Sequence, residues 1–305
     1  MPPRGLCILA NDRVHDLAAA FLHSLKVTSP DLPVCLIPFD DADTKVRALC
    51  RQHGLRLFDD HDLLRQLDQI SLRLHGRVVG QYRKFAAWMC GFEEFIFIDT
   101  DTLALQPFDR VFDLLGEYDY IAGHSDFPHI RKWTWRDSAY ASAGLTADEI
   151  NYAANTGFFA SKAAVFSPAK LEVAVERALQ IRAHMELNAY EQSFLNLFVI
   201  TSGMRYTSLA RLAATPAQAD MPCECWPGDK AWSLGARNEL LYQGRKKPVL
   251  FIHWAGCWWP TPFERRIERL LMKLGFKIEP ATVRYRLRFK RLWRQYHEQG
   301  LTLAG

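Results

Sequence analysis

Residues 95–98 read Phe-Ile-Phe-Ile, an apolar run that stops abruptly at Asp99-Thr100-Asp101-Thr102. Four residues of β-branched and aromatic type are too few for a helix and suit a central strand buried on both faces. Carboxylates at i and i+2 of an extended chain point the same way, so Asp99 and Asp101 converge on one small region at the strand's carboxyl end, where open α/β sheets bind ligands. A divalent cation would relieve their repulsion, and oxygen ligands suit Mg²⁺ or Mn²⁺. A second apolar run, 249–252, ends at His253. If the two strands end together at one sheet edge, a neutral imidazole joins the carboxylates. That set leans toward Mn²⁺ and leaves positions for two phosphate oxygens, while Gly256 lets backbone approach a bound anion. The competing readings are an acidic turn that caps a helix, a structural histidine, and a zinc site of Cys223, Cys225, His253 and Cys257. The C-x-C and H-x₃-C spacings are uncommon for structural zinc.

Positioning these residues requires a sheet. Residues 5–10 read as a strand and 14–25 as a helix; 34–39, 42–53 and 55–58 then read as strand, helix and strand. That alternation predicts an α/β fold, a mostly parallel sheet flanked by helices. A helix is expected over 81–92, a strand over 118–122, and an irregular substrate loop over 124–150, where Trp133 and Trp135 would either stack on a bound substrate or pack in the core. Asn155-Thr156-Gly157 leads into the apolar 158–160, Pro168 opens a helix to about 187, and another spans 190–199. Residues 200–247 read as connecting structure, and a helix is expected between Pro262 and Lys273. The expected organisation is one domain over 1–280 and a basic, aromatic tail over 281–305. In that tail Arg284, Arg286, Arg288, Lys290, Arg291 and Arg294 alternate with residues such as Tyr285, Phe289 and Trp293. It reads either as a solvated end or as a segment attracted to an anionic membrane surface.

Composition narrows the classes. Hydrophobic residues are 49% and charged residues 24% of the 305, which excludes disordered, collagen-like and coiled-coil chains. A net charge of +4 does not argue for nucleic acid, and no nucleic-acid module is visible. The seven cysteines are odd in number and irregularly spaced, as expected of reduced thiols in a reducing compartment. The first residues lack the pattern of a signal peptide, and no window reaches 18 apolar residues. The expectation is a cytoplasmic protein, peripheral at most on the inner face of a membrane.

Six landmarks follow one another along the chain: LANDRV, YRKF, FIFIDTDTLALQPFD, NTGFFASK, YEQSFLN and IHWAG. In this order they resemble metal-dependent glycosyltransferases of the GT-A fold, most nearly the retaining family 8 type that includes glycogenin and the bacterial lipopolysaccharide galactosyltransferases. The resemblance implies a Rossmann-like, mixed, mostly parallel sheet. It also implies hexosyl transfer with retention from a nucleoside diphosphate sugar, a UDP-sugar above all, to a glycan, glycolipid or other hydroxyl acceptor. It makes Asp101 the firmest metal ligand, gives Asp99 a second contact to the ribose, and makes His253 the third ligand. Lys84 would contact the donor, Asn155 would face the sugar, and Gly256 would lie beneath the diphosphate. Ala10, Asn11, Asp12, Thr100, Thr156 and Gly157 complete the donor-binding set. Glu191 and Gln192 match an Asp-Gln pair beside the donor sugar, with Glu one methylene longer. Asp101, Gln192 and Glu191 are the residues expected to serve catalysis, Gln192 by stabilisation and not as a nucleophile. The acceptor would attack from the leaving-group face, with the diphosphate taking its proton.

Two features depart from the family pattern. Trp259 stands where a Lys neutralises the leaving phosphate, with Arg265, Arg266, Arg131 and Lys132 as replacement candidates. Arg13-Val14-His15 stands where an aromatic residue stacks on uracil. The alternatives are a non-catalytic nucleotide-sugar or glycan-binding relative and a haloacid-dehalogenase-like phosphatase. Leu103 does not match the Thr or Val that the phosphatase motif places there.

Overall fold

The computed structural model describes residues 3–229, 231–234, 240–256, 266, 270, 273 and 274. The chain divides into two compact units. One comprises Met1–His15, Asp31–Thr100 and Phe108–Met221; the other comprises Asp16–Pro30, Asp101–Pro107 and Pro222–Gly305. The strands are β1 (Arg4–Ala10), β2 (Val34–Pro38), β3 (Arg56–Leu57), β4 (Glu94–Ile98), β5 (Thr102–Ala104), β6 (Tyr120–Ala122) and β7 (Phe158–Lys162). They continue with β8 (Tyr206–Ser208), β9 (Cys223–Cys225), β10 (Trp232–Leu234), β11 (Leu240–Tyr242), β12 (Arg245–Lys246) and β13 (Val249–His253).

The first unit is built on a seven-stranded sheet of order β3-β2-β1-β4-β7-β6-β8. The neighbours β3, β2, β1 and β4 pair in parallel, as do β6 and β8, while β7 runs antiparallel to both β4 and β6. β2 is buried along its whole length, as the unbroken apolar run predicts for a strand covered on both faces. Helix Thr44–His53 joins β2 to β3 and stops at Gly54, whose φ of 66° is the left-handed conformation that ends helices. The structure adds a helix, His61–His75, where no element is expected above. Its signals are local: Asp60 accepts from the Leu63 N–H, Leu64, Leu67, Ile70 and Leu74 form the buried stripe, and Gly76 ends it.

Residues 81–92 also differ from expectation. They lie mostly in a 3-10 helix, Gly80–Met89, far longer than such helices usually run, with eight of its ten residues buried. Packing overrides propensity here. A Cβ on Gly80 would stand 2.5 Å from the Phe39 carbonyl oxygen, so only glycine admits this approach. The segment inserts Trp88 against Phe159 and Phe166, at ring-centroid distances of 5.1 and 5.7 Å, both stacked.

Nor is 124–150 a loop. It contains helices Pro128–Lys132, Ala139–Ser142 and Ala147–Tyr152, the last opened by a Thr146/Glu149 capping box. Ile130, Trp135, Ala139 and Ile150 are buried and draw the segment onto the core; Trp133 stays 56% exposed. The helix opened by Pro168 ends at Ile181, with a 3-10 turn at Arg182–His184. The next begins at Gln192, because Tyr190 has a φ of 59° and Glu191 is its N-cap. Residues 200–247 are not featureless, holding β8 to β12 and helix Leu209–Ala213.

Before β6, Asp119 pairs with Lys162 at 2.9 Å and Arg205 at 3.1 Å. Hydrogen bonds from Arg205 hold its carboxyl well below the usual carboxylate range, overcoming the upward push of burial, and Lys162 adds to the effect. A carboxyl depressed in the folded state adds stability above its unfolded pKa, and loses it as pH falls through the folded value. Asp119→Asn is therefore expected to lower stability at neutral pH, with a deficit that shrinks below about pH 4. Urea unfolding at pH 7 and pH 3 measures this, and an equal deficit at both would assign the effect to something other than charge.

Among its described residues the second unit holds two three-stranded sheets, β10-β11-β12 and β5-β13-β9. β13 is antiparallel to β5 and parallel to β9. Ala20, Leu103, Cys223, Cys225, Trp232, Val249, Ile252 and Trp254 form its apolar cluster. The six described cysteines are buried, and no helix among the described residues is long and apolar enough to cross a membrane. Arg266, Leu270 and Lys273 are helical. The rest of the helix expected over 262–273, residues 257–260, Arg265 and the tail over 281–305 lie outside the described residues.

Candidate functional site

In the first unit the end of β4 meets the 3-10 helix, the Asn155-Thr156-Gly157 turn and the N-terminus of helix Gln192–Thr201. Lys84 is at the centre. Its Nζ lies 2.7 Å from Glu191 Oε1, 3.1 and 3.2 Å from the two Asp99 carboxylate oxygens, and 3.2 Å from the Thr156 carbonyl oxygen. An ammonium has three N–H donors, and these acceptors use them all. Burial alone would lower the Lys84 pKa, but the Asp99 and Glu191 carboxylates outweigh it and hold the group charged, raised above its ordinary value.

The turn is fixed by side chains. Asn155 Oδ1 accepts from the Gly157 N–H at 2.9 Å, and the Gly157 carbonyl accepts from the Asp99 N–H at 2.7 Å. Thr156 Oγ1 donates to Glu191 Oε1 at 2.8 Å. Asn196, quoted above only within YEQSFLN, clamps Ala154 by accepting from its N–H at 2.7 Å and donating to its carbonyl at 2.8 Å. A buried amide one helical turn beyond Gln192 was the available signal. Gln192 Nε2 donates to the Trp133 carbonyl at 3.2 Å and to Thr134 Oγ1 at 3.1 Å.

At the end of β1, Ala10 and Asn11 are buried. Asn11 donates to Asp40 at 2.8 Å and accepts from the Arg13 N–H, while Asp12 Oδ1 accepts from the Lys45 and Val46 N–H groups at the start of helix Thr44–His53. Both residues brace the β1 and β2 ends.

The second unit positions Asp101 and His253. They come together differently from the expectation of two strands ending at one edge. β13 lies outside the seven-stranded sheet, and His253 pairs with Thr102 because β5 starts where antiparallel β13 finishes. The Trp254 N–H donates to the Asp101 carbonyl at 2.9 Å, closing the pair. His253 Nε2 lies 3.4 Å from Asp101 Oδ1, and Nδ1 lies 2.7 Å from Glu224 Oε1. Burial would lower the imidazole pKa, but Asp101 and Glu224 overcome it and push it well above the ordinary value. Glu224 is a site residue that sequence reading missed; the signal was an acid inside the short Cys-Glu-Cys run. Strand alternation turns Glu224 toward His253 and sends Cys223 and Cys225 into the apolar cluster with Ile252. Both cysteines thus face away from His253, and Cys257, the remaining member of the zinc reading, lies outside the described residues. Gly256 has a φ of 68°, with open space where a Cβ would stand.

One carboxylate oxygen from each of Asp99 and Asp101 and a ring nitrogen of His253 lie within 4.8 Å of one another. Octahedral ligands about 2.1 Å from an ion stand roughly 3–4 Å apart, so small side-chain adjustments suffice. Two hard oxygens and one imidazole fit Mn²⁺ or Mg²⁺.

No family model and no curated protein sequence matches the chain. Solved structures do. An active-site mutant of LgtC aligns with a TM-score of 0.56 at 14% identity, over 92% of this chain and 99% of that one. The bifunctional glycosyltransferase WbbM aligns at 0.52 and 15%, over 88% of this chain and 51% of that one. Mouse xyloside xylosyltransferase 1 aligns at 0.52 and 12%, over 83% and 98%. At such identities the likeness concerns the fold, and the chain has the GT-A glycosyltransferase fold, a mixed, mostly parallel sheet flanked by helices.

Proposed function

We propose that the protein transfers a sugar from a nucleoside diphosphate sugar, with uridine as the base, to a hydroxyl acceptor, using Mn²⁺ or Mg²⁺ held by Asp99, Asp101 and His253. The observation that carries this reading is a carboxylate, carboxylate and imidazole donor set at the end of a central strand in a GT-A fold. LgtC is a galactosyltransferase with a structure containing donor and acceptor sugar analogs, which supports a sugar donor and acceptor here too. A divalent ion in that set would supply positive charge to the departing diphosphate.

The chain's own groups then have distinct duties. Lys84 has its donors committed to Asp99, Glu191 and Thr156, so its part in donor binding is to hold Asp99. Glu191 accepts from Lys84 and Thr156, which weakens it as a nucleophile, and Gln192 is tied to residues 133 and 134. This supports retention by attack from the leaving-group face, with the diphosphate taking the acceptor's proton. Ala10, Asn11, Asp12, Thr100, Asn155, Thr156, Gly157 and Gly256 belong to the proposed donor site. Among the candidates for the missing cation, Arg131 is engaged with Asp137 at 3.0 Å. The basic tail's sequence supports an acceptor presented at an anionic, cytoplasmic membrane face. The phosphatase alternative gains nothing from this fold. The non-catalytic alternative rests on Trp259 in the Lys position.

Calorimetric titration with UDP and then GDP, each with Mn²⁺ and with EDTA, tests the proposal. UDP is expected to bind with Mn²⁺ and to lose at least about 100-fold in affinity in EDTA. Metal-independent binding, or none, would overturn it; metal-dependent binding without turnover of any UDP-sugar would select the non-catalytic relative.

A further inference from the structure

We infer that Glu224 is a positioning residue for the metal site, fixing the ring of His253 so that Nε2 is presented as the ligand atom; the inference rests on the metal reading above. Glu224 and His253 are each 2% exposed, and the Nδ1 to Oε1 distance is 2.7 Å. Taking a carboxylate out of water costs several kcal/mol unless a specific partner compensates, so a buried acid facing an imidazole is an expensive feature that needs a reason. Simple sheet packing does not supply one. The neighbouring Cys223 and Cys225 already fill the apolar face of β9, and a leucine would fill the other face at lower cost.

The register explains the aim. β9 pairs in parallel with β13, opposing Glu224 to Phe251 and Cys225 to Ile252, with a register shift after Val249. Glu224 thereby reaches Nδ1 from the side opposite Asp101, which lies against Nε2 at 3.4 Å. An imidazole that donates Nδ1–H to a carboxylate has one tautomer and one ring orientation, leaving the Nε2 lone pair for an ion. Glu224 is assigned no contact with donor or ion; its role is exerted through His253.

The test uses the full chain without nucleotide. Mn²⁺ affinity is read from the EPR signal of free Mn²⁺ for wild type, Glu224→Leu and Glu224→Gln, alongside metal-free thermal midpoints. Glu224→Leu keeps the volume and removes the acceptor, and is expected to weaken Mn²⁺ binding about 10- to 100-fold. Glu224→Gln keeps an acceptor for Nδ1–H and is expected to lose clearly less, an ordering that a merely structural role would not produce. Wild-type Mn²⁺ affinity in folded Glu224→Leu would overturn the inference while leaving the metal reading intact. Absence of Mn²⁺ binding by the wild-type chain would overturn the metal reading and the inference with it. Should Glu224→Leu fail to fold, ¹⁵N spectra of His253 in the Mg²⁺-loaded wild type decide. The ring proton is expected on Nδ1, and a proton on Nε2 would sink the proposal.

Discussion

Asp101→Asn is expected to reduce metal-dependent sugar transfer by about 10³-fold while moving the thermal midpoint by only a few degrees. The asymmetry follows from position. Asp101 stands just before β5 with a side chain 18% exposed, and the apolar cluster of its unit does not include it. Its backbone carbonyl, which accepts from the Trp254 N–H, is untouched by the substitution. What disappears is one of two carboxylate charges in the proposed donor set, and with it most of the attraction for a divalent ion. Steady-state UDP release across a Mn²⁺ titration, paired with calorimetric melting, separates the two quantities. Equal turnover with unchanged metal dependence would remove Asp101 from the chemistry; a loss of folding larger than the loss of activity would make it a structural residue.

For Lys84→Met the expectation reverses, with stability as the larger casualty. The substitution leaves Asp99 and Glu191 facing each other without their shared cation, and stranding one side of a buried pair costs about 3–5 kcal/mol. Glu191 carries most of this, being 4% exposed at its side chain, whereas Asp99 is 30% exposed and partly solvated. Adding Glu191→Gln to Lys84→Met should recover part of the loss, because an amide replaces the more deeply buried uncompensated charge. The pH dependence has a definite sign. Lys84 is raised in the folded state, so its contribution is complete below its unfolded value of about 10.4 and fades only as pH climbs through the higher folded value. The Lys84 contribution therefore stays constant from pH 6 to 9. Urea denaturation of the single and double variants at pH 7 measures the coupling. A cost under about 1 kcal/mol would mean that water already solvates these carboxylates.

The local chemistry could be read from the residues alone. The run over 95–98 with its acidic end, the apolar 249–252 ending at His253, and the alternation of strands and helices up to residue 58 are short-range facts. Burial on both faces writes continuous apolar runs, and the acidic pair follows directly on one of them. Helix His61–His75 and the capping box at Thr146 were written in the same short-range code, in Asp60, Gly76 and Glu149. The assembly of the site was not. That β13 belongs to a small sheet with β5, that Glu224 turns inward behind His253, and that Asn196 clamps Ala154 all depend on partners 29 to 151 residues apart. Trp135 and Trp133 look alike in sequence, yet one is sealed in the core and the other is open to solvent. Local patterns record how a residue meets its own neighbours and whether its surroundings are dry. Which distant strand or helix supplies those surroundings is decided by the pairing and packing of the whole chain, and there Lys84 acquires its two carboxylates and His253 its second one.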